Sequence, residues 1–425
     1  MADLLAFLEG RFAGTITATW PGTAEFRYAD TYLRDPRSTP LSLSAPLGRG
    51  AYEVERWLDG LLPDNVAVRR RWAARNEAPS ARPVDLLGTP VGLDCAGAVQ
   101  FCRPGREESL HARSSGLEPM SEPQIAAWIR RARQDWSAWE GIGARGQFSL
   151  AGAQAKCALH RDGPQWSVPY GDVPTTHILK PGIANHTDAE VVEHVCMAAA
   201  RRLGLDAAPT ELTRFESERV VVVARFDRTL REGSLRRRHH EDVCQALNLH
   251  PEDKYQAYGG PGPREIADLL RRESTDARAD VERFCDALVY NWALAAPDAH
   301  AKNYSLILDG SDVHLAPLYD VISFLPYAQR DLFDLRTAMS CGDNRSVGAM
   351  GARDAWAGAA LDLGLDPTRT ADRAVQLLRD TPAAISDTID GLSAEDRSSR
   401  TLVPLHRSAQ ALSDKILKGL QPLGR

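Results

Sequence analysis

The feature that most constrains this chain is an apolar helix that a proline must end. Residues 277–295 are apolar and suited to a helix, and Pro297 disfavours helical geometry in the residue before it. The polar residues that follow are therefore predicted to lie in a loop, and the apolar residues beyond them are typical of a strand. That loop contains Asp298 and, five residues later, Asn303.

A second carboxylate, Asp320, comes just after a hairpin predicted at 304–309 and 313–316. Phosphoryl transfer needs an Asp that meets the hydroxyl of the nucleophile, and an Asn and a second Asp that hold magnesium on the phosphates. Asp298, Asn303 and Asp320 follow that order. A solvated loop before a strand would show the same residues, so this motif alone leaves the choice open.

The composition is typical of an ordinary soluble protein of two or three domains. Of the 425 residues, 43% are apolar and 25% charged, and a net charge of −6 does not favour nucleic-acid binding by the chain as a whole. No signal-peptide pattern is present, and the longest apolar stretches are too short to cross a bilayer. The seven cysteines lack metal-ligand spacing. We therefore expect a cytoplasmic protein with no membrane partner and with buried free thiols.

Lysine is rare in this chain. Six of the 51 Lys and Arg residues are Lys, and four of these, at 156, 180, 254 and 302, fall inside candidate motifs. A compact ammonium group fits against a phosphate oxygen in a tight pocket where a planar guanidinium often cannot replace it. The clustering favours phosphate handling, with chance placement as the alternative.

The first quarter of the chain is expected to form a mixed, β-rich subdomain, residues 1–102. Residues 103–146 are expected to hold a polar linker and then a helix that starts at Ser121, a good N-cap. Strands are predicted at 12–19, 24–33 and 97–102, helices at 52–62, 66–75, 83–87 and 121–136, and the linker at 103–119.

The rest of the chain favours an α+β, two-lobed protein-kinase-like fold. Residues 147–225 would form a β-rich amino-terminal lobe, and residues 226–425 a helical carboxy-terminal lobe that holds the polar loop and the hairpin. Strands are predicted at 147–151, 156–160, 165–169, 177–180, 211–215 and 219–225, and helices at 188–203, 241–247, 263–272, 277–295, 353–363, 367–379 and 383–417.

A loop of small residues, 149–156, lies between two predicted strands. Small side chains let backbone N–H groups approach a phosphate, and a lysine adds charge. A plain β-turn explains the loop better in isolation, since GxxxxGK[ST] is absent. The candidate nucleotide-binding residues here are Ala151, Gly152, Ala153, Gln154 and Lys156.

Lys180 ends a predicted strand, and the next helix carries Glu190 and Glu193. A strand lysine held by a helix glutamate is how kinases place a charge on the ATP phosphates. The alternative is an edge lysine and two solvated glutamates. Glu193 is preferred because Cys196 and Ala200 are expected to face inward in register with it.

Two further segments carry candidate residues. The apolar strand 219–225 ends in charged residues and could lead into a hinge that meets adenine; a central strand capped by charges is an equal alternative. In the loop after Pro297, His300 is interpreted as an organiser of the loop, and Lys302 as a charge that offsets the moving phosphoryl group.

Taken together, these segments resemble the HipA family of toxin serine/threonine kinases from toxin–antitoxin modules. Matching motifs occur in order along nearly the whole chain, which makes the resemblance specific. They are PLSLSAPL (40–47), LLPDN (61–65), DLLGTPVGLDCAGAVQF (85–101), FSLAGAQAK (148–156), THILKP (176–181), RFDR (225–228), HEDVCQAL (240–247), KYQAYGGPG (254–262), DAHAKNYS (298–305) and LAPLYDVIS (315–323).

The resemblance implies ATP and Mg²⁺ as cofactors. Asp298 would be the catalytic base, with His300 and Lys302 beside it, and Asn303 and Asp320 would bind the metal. His240 and Ala224 stand where the family commonly has Gln and Glu, which affects only nucleotide placement. Beyond the small-residue loop, the nucleotide would be held by Lys180, Glu193, Ala224, Phe226 and His240, and Ser149 would be the autophosphorylation site.

The resemblance also implies partners. They are a small helix-turn-helix antitoxin similar to HipB, operator DNA reached mainly through that antitoxin, and a protein substrate such as glutamyl-tRNA synthetase or another aminoacyl-tRNA synthetase. Growth arrest or persistence would be the outcome. Two alternatives are a kinase-shaped co-repressor whose main role is to bind the antitoxin, and a small-molecule or lipid kinase. The sequence lacks a basic amphipathic helix, which disfavours the lipid kinase.

Overall fold

The chain divides into two units, each built from separate parts of the sequence. The first unit comprises Met1–Pro181, Thr213–Pro251 and Ser305–Val313, and the second comprises Gly182–Leu212, Glu252–Tyr304 and His314–Arg425. The computed structural model describes residues 2–19, 22–110, 115–135, 148–183, 186–231, 233–328, 331–342, 344–351 and 353–420.

An antiparallel sheet with strand order β4-β3-β2-β1-β5 opens the first unit. Leu4, Ala6 and Leu8 alternate along β1 and are fully buried, as expected for a strand with one face in the core. This strand is absent from the sequence predictions, and the strand predicted at 24–33 ends at Tyr28. The elements are β1 (Ala2–Leu8), β2 (Arg11–Thr19), β3 (Thr23–Tyr28), α1 (Asp30–Leu33), β4 (Tyr52–Glu53), α2 (Glu55–Asp59), α3 (Val66–Arg75), α4 (Pro83–Leu87) and β5 (Val99–Cys102).

A second sheet follows, with strand order β10-β11-β9-β7-β8-β6. The linker predicted at 103–119 is wrong where Gly116–Met120 forms β6 and pairs with β8. The strand predicted at 147–151 is also wrong over the described residues 148–151, which form a loop; Gln147 lies outside the described residues. The elements are β6, α5 (Glu122–Gln134), β7 (Cys157–Asp162), β8 (Gln165–Tyr170), β9 (His177–Pro181), α6 (Ala189–Arg202), β10 (Thr210–Phe215) and β11 (Glu218–Ala224).

Strands continue beyond residue 225, contrary to prediction. The helix predicted at 241–247 is wrong at its start, because His239–Asp242 is a strand that pairs with Ser305–Asp309. The Asp242 side chain then accepts a hydrogen bond from the Gln245 backbone and caps the short helix that follows. These elements are β12 (Arg228–Arg231), β13 (Ser234–Arg237), β14 (His239–Asp242), α7 (Val243–Ala246), β15 (Ser305–Asp309) and β16 (Asp312–Leu315).

Glu241 of β14 joins this strand to the amino-terminal subdomain. Its buried carboxylate accepts hydrogen bonds from the Ser42 hydroxyl at 2.6 Å, the Leu43 backbone at 2.7 Å and the Trp57 indole at 2.9 Å. Burial raises the pKa of Glu241 to about 7, against these hydrogen bonds. Two of the quoted motifs, 40–47 and 240–247, therefore meet at one buried acid.

The second unit is mainly helical, as predicted. One helix, α11, runs through a predicted break and contains Pro382. Pro382 has no N–H to donate to the Leu378 carbonyl, and the Ser413 hydroxyl donates to that carbonyl instead, at 2.7 Å. The elements are α8 (Pro263–Glu273), α9 (Ala277–Ala293), β17 (Arg336–Cys341), β18 (Asn344–Ser346), α10 (Arg353–Asp362), α11 (Pro367–Asp390), α12 (Ala394–Arg397) and α13 (Leu402–Leu420).

Three further findings concern the cysteines, the helices and the fold class. All seven cysteines are buried and free, as the sequence predicted. Among the helices of the described residues, none combines the length and the apolar character needed to cross a membrane. The predicted α+β class, with a β-rich first part and a helical last part, is confirmed.

Candidate active site

In the first unit, the small-residue loop is held from two sides. The Ser149 hydroxyl is fully buried and donates to the Leu61 carbonyl at 2.7 Å, and the Ser149 backbone donates to the Asp94 carbonyl at 2.8 Å. The Asp64 backbone donates to the Gly152 carbonyl at 3.1 Å. The amino-terminal subdomain therefore fixes the conformation of this loop.

The Lys156 side chain contacts the backbone of this loop. Its ammonium group donates to the Ala151 carbonyl at 2.6 Å, and its side chain is almost completely buried. Gly152 has a φ of +102°, which favours glycine, and a Cβ there would lie 2.7 Å from the Lys156 nitrogen. The backbone thus turns tightly around a buried positive charge, an arrangement suited to an anion.

Lys180 lies on β9, next to this loop. It pairs in register with Val221 of β11, and it is 5% exposed. The Gln154 side-chain amide donates to the Pro181 carbonyl at 3.0 Å, which ties the loop to the end of β9. The structure therefore brings the predicted residues Gln154, Lys156 and Lys180 together in one unit, while Ala153 is exposed at the loop tip.

Two of the residues predicted to lie at an adenine hinge, Phe226 and His240, form an aromatic contact. Ala224 ends β11, and the Phe226 ring lies 4.8 Å from the His240 ring, centroid to centroid. His240 Nε2 is 3.4 Å from an Asp227 carboxylate oxygen. Asp227 therefore orients His240, and the role of this pair in nucleotide placement stays a prediction.

A buried ionic cluster lies close to these residues. The sequence did not predict it, because its charged residues were interpreted as the end of a strand. Asp94 accepts from Arg228 at 3.0 Å and from Arg237 at 3.2 Å, and Asp227 accepts from Arg225 at 2.7 Å and Arg228 at 2.8 Å. Asp227 also accepts from the Gly97 backbone at 2.8 Å. The cluster thus joins residues 94–97 of the amino-terminal subdomain to the segment that leaves β11.

In the second unit, α9 ends as Pro297 predicted. The Ala296 N–H donates to the Asn291 carbonyl and the Ala295 N–H to the Trp292 carbonyl, both at 2.9 Å, which is the Schellman pattern of helix ends. Ala295 adopts a φ of +47°, where glycine is usual. The chain turns sharply there and enters the loop at Asp298.

Two side chains lie beside the Asp298 carboxylate, and a third holds its backbone. Its side chain is 55% exposed, and one carboxylate oxygen accepts a hydrogen bond from the Tyr255 hydroxyl. His300 Nε2 lies 3.6 Å from the same oxygen. Asn303 Nδ2 donates to the Asp298 backbone carbonyl at 2.6 Å. The exposed carboxylate is therefore available to a substrate hydroxyl, while its loop is braced from within.

His300 is a neutral, buried side chain. It is 4% exposed, and burial lowers the pKa of its ring, with the negative charges of Asp298 and Asp320 opposing that change. The 3.6 Å between His300 Nε2 and the Asp298 carboxylate oxygen is too long for a hydrogen bond. The predicted organising role of His300 stays a prediction.

Asn303 and Asp320 supply oxygen ligands of the kind that Mg²⁺ prefers. Because Asn303 Nδ2 is used by the Asp298 carbonyl, its Oδ1 is the atom left to face a cation. Asp320 is partly exposed and has a φ of +58°, a strained conformation that is often associated with functional sites. Within the described residues, no three His, Cys, Asp or Glu side chains gather around a metal position. Both residues have the donor chemistry of a magnesium ligand, and their assignment to the metal stays a prediction.

The remaining predicted residues of the second unit are buried. Lys302 is 6% exposed, and its carbonyl accepts from the Tyr319 hydroxyl at 2.7 Å. Glu190 and Glu193 are both buried on α6, so the alternative of two solvated glutamates is wrong. A Cβ at Gly182 would lie 2.3 Å from a Glu190 carboxylate oxygen, so Glu190 packs closely on the chain just after β9. The choice of Glu193 stays a prediction.

Tyr255 is a site residue that sequence reasoning missed. It belongs to the motif KYQAYGGPG, in which Lys254 stands out as a rare lysine and neither tyrosine carries a prediction. The available signal was an aromatic residue between a polar stretch, 248–254, and a glycine-rich stretch, 256–262. Its contact with Asp298 spans 43 residues of sequence and could not be read from local spacing.

The fold is that of a protein-kinase-like enzyme. The chain belongs to the HipA family: the model of the HipA-like C-terminal domain matches residues 148–386, and the model of the HipA N-terminal domain matches residues 4–102. The family and the kinase class predicted from the sequence are therefore confirmed.

Similar proteins cover nearly the whole chain. Y4mE of Sinorhizobium fredii, a kinase candidate by name, is 32% identical over 394 residues, 91% of each chain. The serine/threonine-protein kinase toxin HipA of Shewanella oneidensis is 28% identical over 406 residues, 91% of this chain and 89% of that one. A solved complex of Shewanella oneidensis HipA with HipB and operator DNA contains a chain with the same fold, with a TM-score of 0.82, 22% identity, and coverage of 98% of this chain and 97% of that one.

Proposed function

We propose that this chain is an ATP-dependent serine/threonine protein kinase that acts as the toxin of a HipBA-like module in the cytoplasm. The observation that carries the proposal is the Asp298 loop: an exposed carboxylate, braced by Asn303 and His300, followed by the strained Asp320. Asp298 accepts the proton of the substrate hydroxyl as that oxygen attacks the terminal phosphate of ATP. Magnesium, when bound, offsets the charge of the phosphates.

The first unit supports the same chemistry. Lys180 and Lys156 are buried ammonium groups on one strand and in one loop, tied together through Gln154. Positive charges in a site of low dielectric stabilise phosphate strongly. We assign nucleotide binding to this unit, with Ala224, Phe226 and His240 at the adenine end.

Ser149 is the proposed autophosphorylation site. Its hydroxyl is buried against the Leu61 carbonyl, and a phosphate adds close to two negative charges and three acceptor oxygens. Such a group cannot remain 2.7 Å from a carbonyl oxygen, so the modified loop must leave its place. Gly152 and Lys156, which belong to the same loop, would move with it, and the kinase would become inactive.

The partners remain proposals. The solved Shewanella assembly contains HipA, HipB and operator DNA, and we propose a small helix-turn-helix antitoxin for this chain, through which it would reach DNA. An aminoacyl-tRNA synthetase is the proposed substrate, with growth arrest or persistence as the outcome. Phosphoproteomics after induction, with an Asp298→Ala chain as control, identifies the target. If only proteins other than aminoacyl-tRNA synthetases are phosphorylated, the proposed synthetase substrate is contradicted.

Labelling tests the kinase reaction itself. After phosphatase treatment, incubation with Mg²⁺ and ATP labelled on its terminal phosphate is expected to place label on Ser149, and EDTA is expected to abolish it. Ser149→Ala should lose the label, because the acceptor hydroxyl is gone. Ser167→Ala removes another buried serine of the first unit and should keep it. Wild-type protein that takes no label, or label that survives EDTA, contradicts the proposed function.

A further inference from the structure

Tyr255 makes a direct contact with the proposed catalytic base. Its hydroxyl donates to Asp298 Oδ1 at 2.5 Å. Its ring meets the His300 ring edge to face, with 4.8 Å between centroids and an interplanar angle of 86°. The Lys254 ammonium lies 5.6 Å from the centre of the Tyr255 ring. Tyr255 thus contacts both the exposed Asp298 side chain and the buried His300 side chain.

The segment that carries Tyr255 is anchored away from the loop. The Gln256 amide donates to the Ser340 hydroxyl at 3.1 Å and accepts from the Ser340 backbone at 2.8 Å. A Cβ at Gly260 would lie 2.0 Å from the Asp253 carbonyl, so only glycine allows the backbone to fold back there. The Gly260 N–H donates to the Tyr255 carbonyl at 3.0 Å. Tyr255 therefore presents its hydroxyl from a fixed backbone.

An exposed carboxylate needs such a partner. The Asp298 side chain is 55% exposed, and an aspartate in water rotates freely between rotamers. A hydrogen bond to Oδ1 selects one rotamer and leaves Oδ2 for the hydroxyl of a substrate. Orientation of a reacting group within about 1 Å can change a rate by about 10²-fold.

We propose that Tyr255 is a positioning residue that holds Asp298 in the orientation required to accept the proton of the substrate hydroxyl. This inference rests on the proposed kinase function. Tyr255 acts through Asp298, touches no reacting atom, and leaves ATP binding to other residues.

Tyr255→Phe removes the hydroxyl and keeps the ring against His300. The rate of Ser149 labelling at saturating ATP is expected to fall about 10- to 100-fold, with the KM for ATP and the Tm unchanged. Tyr258→Phe is the matched control: Tyr258 lies three residues on, is 84% exposed, and should label at the wild-type rate.

A double variant separates positioning from a structural effect. If Tyr255 acts through Asp298, adding Tyr255→Phe to Asp298→Ala lowers the residual rate no further. A wild-type rate in Tyr255→Phe, a defect confined to KM, or a full additional loss in the double variant overturns this inference and leaves the kinase function standing. Wild-type protein without transfer activity refutes the proposed function itself.

Discussion

Asp298→Asn is expected to lower the rate of phosphoryl transfer by about 10²- to 10⁴-fold, the usual contribution of a positioned acid or base. The substitution keeps the size of the side chain and an oxygen that can accept from the Tyr255 hydroxyl. It removes the negative charge that attracts the proton of the substrate hydroxyl. The loop should persist, because Asn303 contacts the backbone carbonyl of residue 298. ATP affinity, measured by titration calorimetry, should therefore change little.

A nearby aspartate supplies the control for that experiment. Asp253 is exposed and lies just before the Lys254–Tyr255 pair, so Asp253→Asn removes the same charge from the same neighbourhood. It should label Ser149 at the wild-type rate. A transfer rate in Asp298→Asn within a few-fold of wild type would move the role of base to another residue. Equal losses in both variants would indicate a general electrostatic effect instead.

The features of the site that depend on a single segment of sequence could be predicted. Pro297 disfavours helical geometry in the residue before it, so the loop position of Asp298 could be predicted from local covalent geometry. The helix at Val66–Arg75 has the predicted bounds, and the strand that carries Lys180 was placed to within one residue. These elements have patterns that a single segment contains.

The errors share a different cause. The strand at Gly116–Met120 has polar and exposed residues and exists because β8 pairs with it, and β14 likewise depends on β15. The bond between Tyr255 and Asp298 spans 43 residues, and that between Arg228 and Asp94 spans 134. The periodicity of a sequence does not reveal partners that lie so far apart in the chain. A strand that is stabilised by pairing, or a charged residue that is buried, therefore looks like a solvent-exposed segment in the sequence.

Asp94→Asn is expected to destabilise the first unit by about 3–5 kcal/mol, the usual cost of breaking a buried ion pair from one side. Asp94 is 3% exposed and receives the Arg228, Arg237 and Thr175 side chains at 3.0, 3.2 and 2.6 Å. The variant leaves Arg225 and Arg228 with Asp227 as their remaining buried carboxylate, and Arg237 with the partly exposed Asp172. The loss should appear as a lower urea midpoint in the transition of this unit.

The dependence of that loss on pH distinguishes the charge of Asp94 from its shape. Burial alone would raise the pKa of Asp94, but the charges of Arg228, Arg225 and Arg237 outweigh it and hold the pKa below its ordinary value. A depressed pKa contributes stability that is present above the unfolded value of about 3.9 and is lost as the pH falls through the folded value. The difference in unfolding free energy between wild type and Asp94→Asn should therefore be full at pH 7 and shrink below about pH 4.

An exposed ion pair in the same unit completes the test. Arg231 and Asp309 form a salt bridge with side chains 61% and 39% exposed, so Asp309→Asn should cost no more than about 1 kcal/mol. If Asp94→Asn costs as little, the cluster tolerates the loss of one carboxylate, and the link between residues 94–97 and the hinge is not a source of stability. A loss that stays constant from pH 7 to pH 3 would instead point to packing, because Asp94 is the titrating group in which the two proteins differ.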